Sequence, residues 1–338
     1  MIFKSLTLAL CTVALVVGAA TAQPAAAEPE VWFAPPGLGP QRPSAADFSD
    51  LFTPEAPWKA AASHTQVFKF YSGYLLGAPQ AQINAMVADL NRRHIAIAVE
   101  IGVMDVPHNP PSGCGGMGNV EGYGIAARAT RISQMIKAAH GEIKYIAMDE
   151  PFYYGHYFTS APGKGLGCHS PIEQIAQLVK PTLTNFIQEF PDVAIGEIEP
   201  TLFVGDQPNW RADLMAWATT YRATMGRPLA FYQLDVEWPR PGGAQEALAA
   251  YRAAEQLRDH GLIGEIGVIY NGTFQDKTDA AWVEDAENHT RIIEGQFKLH
   301  PDQVIFQSWN ANPTHVLPET APDTMTSLVD FYFSGGSR

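Results

Sequence analysis

Short runs rich in β-branched and aromatic residues alternate along the chain with longer stretches whose apolar positions recur about every 3.6 residues. The short runs fall at residues 31–34, 66–71, 95–101, 143–149, 193–198, 229–237, 265–270 and 303–309, and each reads as a strand. The stretches between them read as helices. In residues 125–139, for instance, Ile125, Ala129, Ile132 and Ile136 share one face. Boundary chemistry agrees: Ser170-Pro171-Ile172-Glu173 offers an N-cap serine, a proline at the first helical position and a capping-box glutamate. Gly141 and Gly261 stand where C-cap glycines belong. Eight strand–helix units predict an α/β fold, a single-domain (β/α)8 TIM barrel. A doubly wound open sheet is the alternative, disfavoured because no Gly-rich phosphate fingerprint follows the first strand.

Strand alternation then assigns faces. In the third strand Ile95, Ile97, Val99 and Ile101 point one way, and Ala96, Ala98 and Glu100 the other. The bulky face should meet the helices and the small face, ending in an acid, the barrel lumen. By the same alternation Gln233, Asp235 and Glu237 oppose Leu234, Val236 and Trp238, and Glu197 and Glu199 oppose Gly196 and Ile198. Both acidic sets are expected inside, together with Lys69, Asp149, Gln307 and Trp309. Four consecutive strands, the third to the sixth, thus end in acids: Glu100, Asp149-Glu150-Pro151, Glu197 with Glu199, and Asp235 with Glu237. Ionised groups are rarely buried without a partner or a task. A shared acidic pocket at the C-terminal rim of the barrel, acting on a polar substrate, is the expectation.

Composition narrows the partners. The 338 residues are 46% apolar and 17% charged, without a charge run or low-complexity tract, which predicts a compact globule. A formal charge of -13 with no Lys/Arg-rich stretch argues against a nucleic-acid partner and favours a neutral or cationic substrate. Lys4, the apolar run 6–17 and Ala20-Thr21-Ala22 before Gln23 form a bacterial-type signal-peptide pattern over residues 1–22. Residues 23–338 are then the barrel, in a secreted or periplasmic protein with no membrane contact after cleavage, since no later apolar run can span a bilayer. Cleavage removes Cys11 and leaves Cys114 and Cys168, both in Gly-rich loops, and an oxidising compartment predicts a disulfide between them.

The sharpest chemistry lies in Asp149-Glu150-Pro151. A carboxyl at a strand tip beside proline and the aromatics Phe152, Tyr153 and Tyr154 is partly desolvated, which raises its pKa and suits it to protonating a leaving group. The loop from there to His169 is long for a βα connection. An acid followed by proline at the fourth strand tip resembles the Asn-Glu-Pro signature of clan-A retaining glycoside hydrolases, whose glutamate is the acid/base. Trp309, in Gln307-Ser308-Trp309-Asn310, resembles the tryptophan those enzymes place beneath the sugar. The pattern departs at the seventh strand, where that clan carries its nucleophile and this chain has Ile269-Tyr270-Asn271-Gly272. The consecutive Asp-Glu pair also resembles the β-hexosaminidase families, in which the substrate's own acetamido group attacks and the aspartate orients it.

These resemblances imply a glycoside hydrolase acting on a carbohydrate, with Glu150 as general acid. The second carboxylate comes from Glu237, Asp235 or Glu199, with Glu100 a further option; Asp149 and Glu199 would position hydroxyls, acetamido groups or water. Retention needs the two carboxyls about 5–5.5 Å apart, inversion roughly 6.5–9.5 Å. Glu100, Lys69, Glu197, Tyr153, Trp238, Tyr270, Asn271, Gln307 and Trp309 are the candidate substrate contacts, Glu197 and Asp235 having also the simpler role of partners to Lys69. Two other readings stay open: a sugar isomerase or epimerase holding Mg²⁺ or Mn²⁺ through Glu199, Asp235 and Glu237, and a non-catalytic glycan-binding barrel. No HExxH, tight histidine cluster or Gly-x-Ser-x-Gly elbow is present, so neither a zinc site nor a serine nucleophile is expected, and the leading reading needs no metal or cofactor.

Overall fold

The protein's structure, a computed structural model, describes residues 28–37, 45–106, 113–115, 120–161 and 164–336. The leader pattern in residues 1–22, and Cys11 with it, lies outside the described residues. Every strand expected from the sequence is present: β1 (Glu30–Ala34), β2 (Val67–Tyr71), β3 (Ala96–Ile101), β4 (Ile143–Asp149), β5 (Ala194–Pro200), β6 (Leu229–Asp235), β7 (Ile263–Tyr270) and β8 (Gln303–Gln307). Each pairs in parallel with the next, and β8 closes on β1 in the register Glu30↔Gln303 to Ala34↔Gln307. The chain is a (β/α)8 TIM barrel in a single domain, and the open-sheet alternative falls away.

The helices outside the barrel include α1 (Lys59–His64), α2 (Gln80–Arg93), α3 (Ala126–Ala138), α4 (Ile172–Glu189), α5 (Trp210–Met225), α6 (Gly243–Asp259), α7 (Asp279–Thr290) and α8 (Met325–Phe331), with shorter ones at Ser72–Gly77 and Leu202–Asp206. Their apolar stripes meet the outward side chains of the strands. In α2, Ile83, Met86, Val87 and Leu90 are buried at helical spacing; in α4, Ile175, Ala176, Val179, Leu183 and Phe186 do the same. Among the described residues no helix is long and apolar enough to cross a membrane.

Two cap assignments change. α4 starts at Ile172 with Pro171 as its extended N-cap and no side-chain capping bond, so the Ser170/Glu173 box does not form. Ser170 is instead held by its backbone, which donates to Gly155 O and accepts from His156 Nδ1. After α3 the left-handed position is taken by His140 rather than Gly141, whereas Gly261 does adopt positive φ after α6. Gly141 is needed for space, since a Cβ there would press on Val87 and Ile136.

The lumen is filled from the bottom by Trp32, Tyr145 and Phe231, whose rings lie 4.8–6.1 Å apart, then by Ala98, Ala147, Ile198, Ile269 and Ile305. Above this apolar plug the inward positions turn polar, with Lys69, Glu100, Asp149, Asp235 and Gln307. β5 breaks the expected facing. Ile198 belongs to the lumen plug, and a Cβ on Gly196 would strike the Phe231 ring that fills the lumen beside it. Gly196 and Ile198 therefore point in, and Glu197 and Glu199 point out towards the helices, a reversal of the sequence expectation.

Glu197 is fully buried against α5, where both carboxyl oxygens accept the Trp217 indole N–H at 2.8–2.9 Å. Burial raises its pKa to about 8, the indole bond opposing the rise. The native state thus holds a proton that the unfolded chain releases. The stability this contributes is complete below the ordinary value of 4.5 and is lost as pH climbs through about 8. Glu197→Gln, permanently neutral and still able to accept the indole bond, should melt with wild type in acid. At alkaline pH it should melt several degrees higher, as scanning calorimetry at the two pH values would reveal.

Candidate active site

A cleft of about 500 Å³ opens at the C-terminal end of the barrel. Its floor is an ion pair and amide: Lys69 Nζ lies 2.7 Å from Glu100 Oε2 and donates to Gln307 Oε1, while Gln307 Nε2 donates to the same Glu100 oxygen at 2.8 Å. Lys69 is almost wholly buried, so this pairing, and not solvent, satisfies its charge. Asp149 and Glu150 from the β4 tip face Asp235 and Glu237 from β6 and its following loop, and Trp309 and Tyr71 close the wall.

Two consecutive residues on a strand normally face opposite ways. Asp149 and Glu150 both line the cleft because Glu150 takes a left-handed conformation, φ 51°, that re-aims its side chain. For a residue with a Cβ this conformation costs about 1–2 kcal/mol. It is held by neighbours: the Glu150 N–H is shared between Met148 O (3.2 Å) and Ile198 O (3.1 Å). Just beyond, Glu199 accepts the Phe152 N–H at 2.7 Å on one oxygen and the Tyr153 N–H at 2.9 Å on the other. Glu199 is buried behind the turn and absent from the cleft wall.

A segment after β3 forms the other side of the cleft. Met104–Asp105 pairs with Tyr123–Gly124 in a small parallel ladder. Gly102 and Gly124 touch backbone to backbone so closely that a side chain on either would collide with the other's strand. Gly122 rests on the carbonyls of Asp149 and Glu150, 3.1–3.2 Å from where its Cβ would be. This brings Glu121 and Tyr123 to the cleft, and Lys164 from the loop after β4 reaches Glu121 at 2.7 Å and the Tyr154 hydroxyl at 2.9 Å.

The expected disulfide between Cys114 and Cys168 ties the same two loops together, with Cα atoms 5.0 Å apart at a sequence separation of 54. Replacing both cysteines by serine should lower the unfolding free energy by about 2–4 kcal/mol, the usual cost of opening such a loop. Denaturant melts of the variant, and of the wild type with and without reductant, measure it.

Electrostatically the cleft is overloaded. Asp149, Glu150 and Asp235 are all held well above the usual carboxyl range, in each case first by burial. Next come the neighbouring acids, Glu100 for Asp149, Asp235 for Glu150 and Glu237 for Asp235, with Lys69 opposing the rise at the two aspartates. Glu237 is raised by burial, but Lys164 and Arg240 pull it back. Among the described residues the carboxyls of Asp149, Glu150, Asp235 and Glu237 make no hydrogen bond or ion pair. So many close acids cannot all ionise at once: the site holds protons in its acidic form.

Of the residues expected at the site, the structure brings together Glu100, Asp149, Glu150, Asp235, Glu237, Gln307 and Trp309, with Lys69 beneath them. Glu197 and Glu199 lie outside, for the reason given for β5. Tyr270 also points outward, fully buried with its hydroxyl donating to Glu294 at 2.8 Å. Trp238 lies flat on His289, ring centroids 3.8 Å apart, and Asn271 is buried with its carbonyl oxygen bonded to His289 Nδ1; neither is in the cleft wall. Tyr153 is turned aside too, edge-on to Tyr154, which does line the cleft. Because Glu199 is turned away, the Glu199–Asp235–Glu237 metal set is not assembled, and no group of three or more His, Cys, Asp or Glu among the described residues is placed to hold an ion. Sequence reasoning passed over Glu121, Tyr123, Arg128 and Lys164. The signal for Glu121 and Tyr123 is the glycine-rich stretch around Cys114 and Gly122, and for Lys164 the length of the loop that runs to His169.

No protein-family profile and no curated protein sequence matches the chain. Solved structures resemble it in fold. GH5_18 from Streptomyces cattleya in complex with GlcNAc is 10% identical with a TM-score of 0.49, over 91% of this chain and 82% of that one. Xylanase XynB from Paenibacillus barcinonensis is 11% identical with a TM-score of 0.48, over 83% and 84%. Morphinone reductase is 13% identical with a TM-score of 0.47, over 91% and 87%. The likeness is one of fold, and a barrel fold does not by itself fix a chemistry.

Proposed function

We propose that the protein is an exported glycoside hydrolase in which Glu150 is the general acid and Glu237 the second carboxylate. The observation that carries this is a pair of unpartnered carboxyls in one cleft whose surroundings set them apart: Glu150 is buried among acids, while Glu237 is less buried and has Lys164 and Arg240 working against its rise. Two carboxyls tuned differently by environment supply an acid and a base from the same functional group. Glu150 would deliver its proton to the glycosidic oxygen as the bond breaks. Glu237 would then stabilise the developing positive charge, either by attacking the sugar or by deprotonating water. Asp235 lies one layer deeper and is held protonated more strongly, so it suits a hydrogen-bonding role better than that of a base.

The rest of the cleft fits a sugar. Trp309 offers a flat face, Gln307 and Glu100 stand over Lys69 as hydroxyl partners, and Asp149 sits beside the acid. Export is supported by the leader pattern and by the disulfide. The test is a panel of polysaccharides and oligosaccharides incubated with the purified full chain, read by product NMR that resolves anomers. Hydrolysis of at least one class is expected. Tight binding to a class without cleavage would leave the retired, glycan-binding barrel standing instead, and neither binding nor cleavage would end the carbohydrate reading.

A further inference from the structure

Building on the hydrolase reading, we infer that the cleft takes an amino-sugar chain with free, protonated amines, a de-N-acetylated polymer rather than a neutral or N-acetylated one. Six acids line the cleft: Glu100, Glu121, Asp149, Glu150, Asp235 and Glu237. Glu100 is neutralised by Lys69 and Glu121 by Lys164, each at 2.7 Å, and Arg128, the other cation of the wall, is within ion-pair reach of none of the six among the described residues. The other four have no cation within ion-pair reach among the described residues. Glycoside hydrolysis uses two carboxyls. Asp149 and Asp235 are therefore in surplus, beside a Glu150 that is only 7% exposed and without a partner.

An unpaired buried carboxylate is costly, so the cleft by itself relieves its excess by holding protons. An occupant that brings positive charge would let the surplus carboxyls ionise against it. Sugar hydroxyls donate hydrogen bonds but leave the charge uncompensated. An ammonium group donates up to three hydrogen bonds and brings the counter-charge with it, and such charge-assisted bonds are about twice as strong as neutral ones. The chain's net charge of -13 works in the same direction at long range, drawing a polycation in and repelling a polyuronate. Trp309 remains available to the apolar face of the ring.

The experiment measures binding to the full chain carrying Glu150→Gln, which slows turnover enough for titration, with Glu237→Gln in parallel should the first variant misfold. The ligands are matched hexasaccharides of glucosamine, N-acetylglucosamine and glucose, with an oligomer of galactosamine to cover the other ring stereochemistry. Calorimetry should give an amine-bearing ligand at least about tenfold tighter than its neutral match, roughly the difference of one good ion pair. That preference should collapse in high salt and shrink in an added Asp235→Asn change. Equal or tighter binding of the N-acetylated or neutral ligand overturns the inference and leaves the hydrolase reading intact, as does failure of every amine-bearing ligand to bind. Amine-selective binding with no cleavage by the wild type keeps the charge recognition and removes the hydrolase reading beneath it.

Discussion

Glu150→Gln is expected to slow hydrolysis of a natural glycoside by about 10²–10⁴-fold, the usual worth of a positioned proton donor. The substitution is close to isosteric and removes a buried acid whose charged form the cleft already disfavours, so folding should survive it. Two further readouts separate proton donation from a general loss of function. An aryl glycoside whose leaving group departs without a proton should recover most of the lost rate. The pH profile should change as well. Burial and the charges of Asp235, Asp149, Glu121 and Glu199 keep Glu150 protonated above the usual carboxyl range. Wild-type activity should therefore persist towards neutral pH and fall as pH climbs past the raised value. In the glutamine variant that alkaline limb should disappear. Equal losses on natural and aryl substrates would move the proton donor elsewhere, and near-normal turnover would remove Glu150 from the chemistry altogether.

Most of the barrel is legible in the chain because its signals are local. Each strand carries a short β-branched or aromatic run, and each long helix shows an apolar stripe, so eight strands emerge with ends displaced by at most a few residues. The strand β3 also shows its facing openly, since Ala96 and Ala98 are too small to be anything but lumen-side beside Ile97 and Val99. The same rule applied to β5 places Ala194 and Gly196 inside and Glu197 and Glu199 outside, which is what the structure has. The opposite expectation arose from treating acids as lumen markers. Acidity tells what a side chain can do; residue size next to a crowded lumen decides where it points.

The cleft itself is legible at β4 and β6 and hidden elsewhere. Strand tips advertise Asp149, Asp235 and Gln307 through alternation. That Glu150 also faces the cleft depends on a positive φ, which no pattern of residue types reveals when the residue is not glycine. Glu121 and Lys164 are joined across two loops that meet through glycine contacts and the disulfide, a long-range arrangement. Tyr270 and Trp238 show the reverse: their place at strand ends makes them candidate substrate contacts, yet one is outward core and the other is stacked on a histidine. Position near the rim is a weaker guide than parity, because a strand end has as many residues facing the helices as facing the lumen.

Glu199 gives the second large effect, and it acts without touching substrate. Its two oxygens receive consecutive backbone N–H groups immediately after the left-handed turn at Glu150, so it braces the turn that aims the acid. Truncation in Glu199→Ala leaves the buried Phe152 donor unpaired, at about 1–3 kcal/mol, and the part-buried Tyr153 donor at less, part of which is offset by removing an acid that burial already penalises. A net stability loss of a few kcal/mol should appear in denaturant melts. Activity should fall further than stability explains. With the brace gone the Glu150 turn can relax from its strained φ, and a displacement of about 1 Å at a catalytic group can cost a hundredfold in rate. The loss should fall on kcat rather than KM, since the cleft floor of Lys69, Glu100 and Gln307 is untouched. Removing a nearby negative charge should also shift the alkaline limb of the rate profile towards acid, because that charge helps to keep Glu150 protonated. A variant that loses stability but keeps wild-type kcat and an unmoved limb would make Glu199 a fold residue only, and the aim of Glu150 would then rest on the bonds of its own backbone.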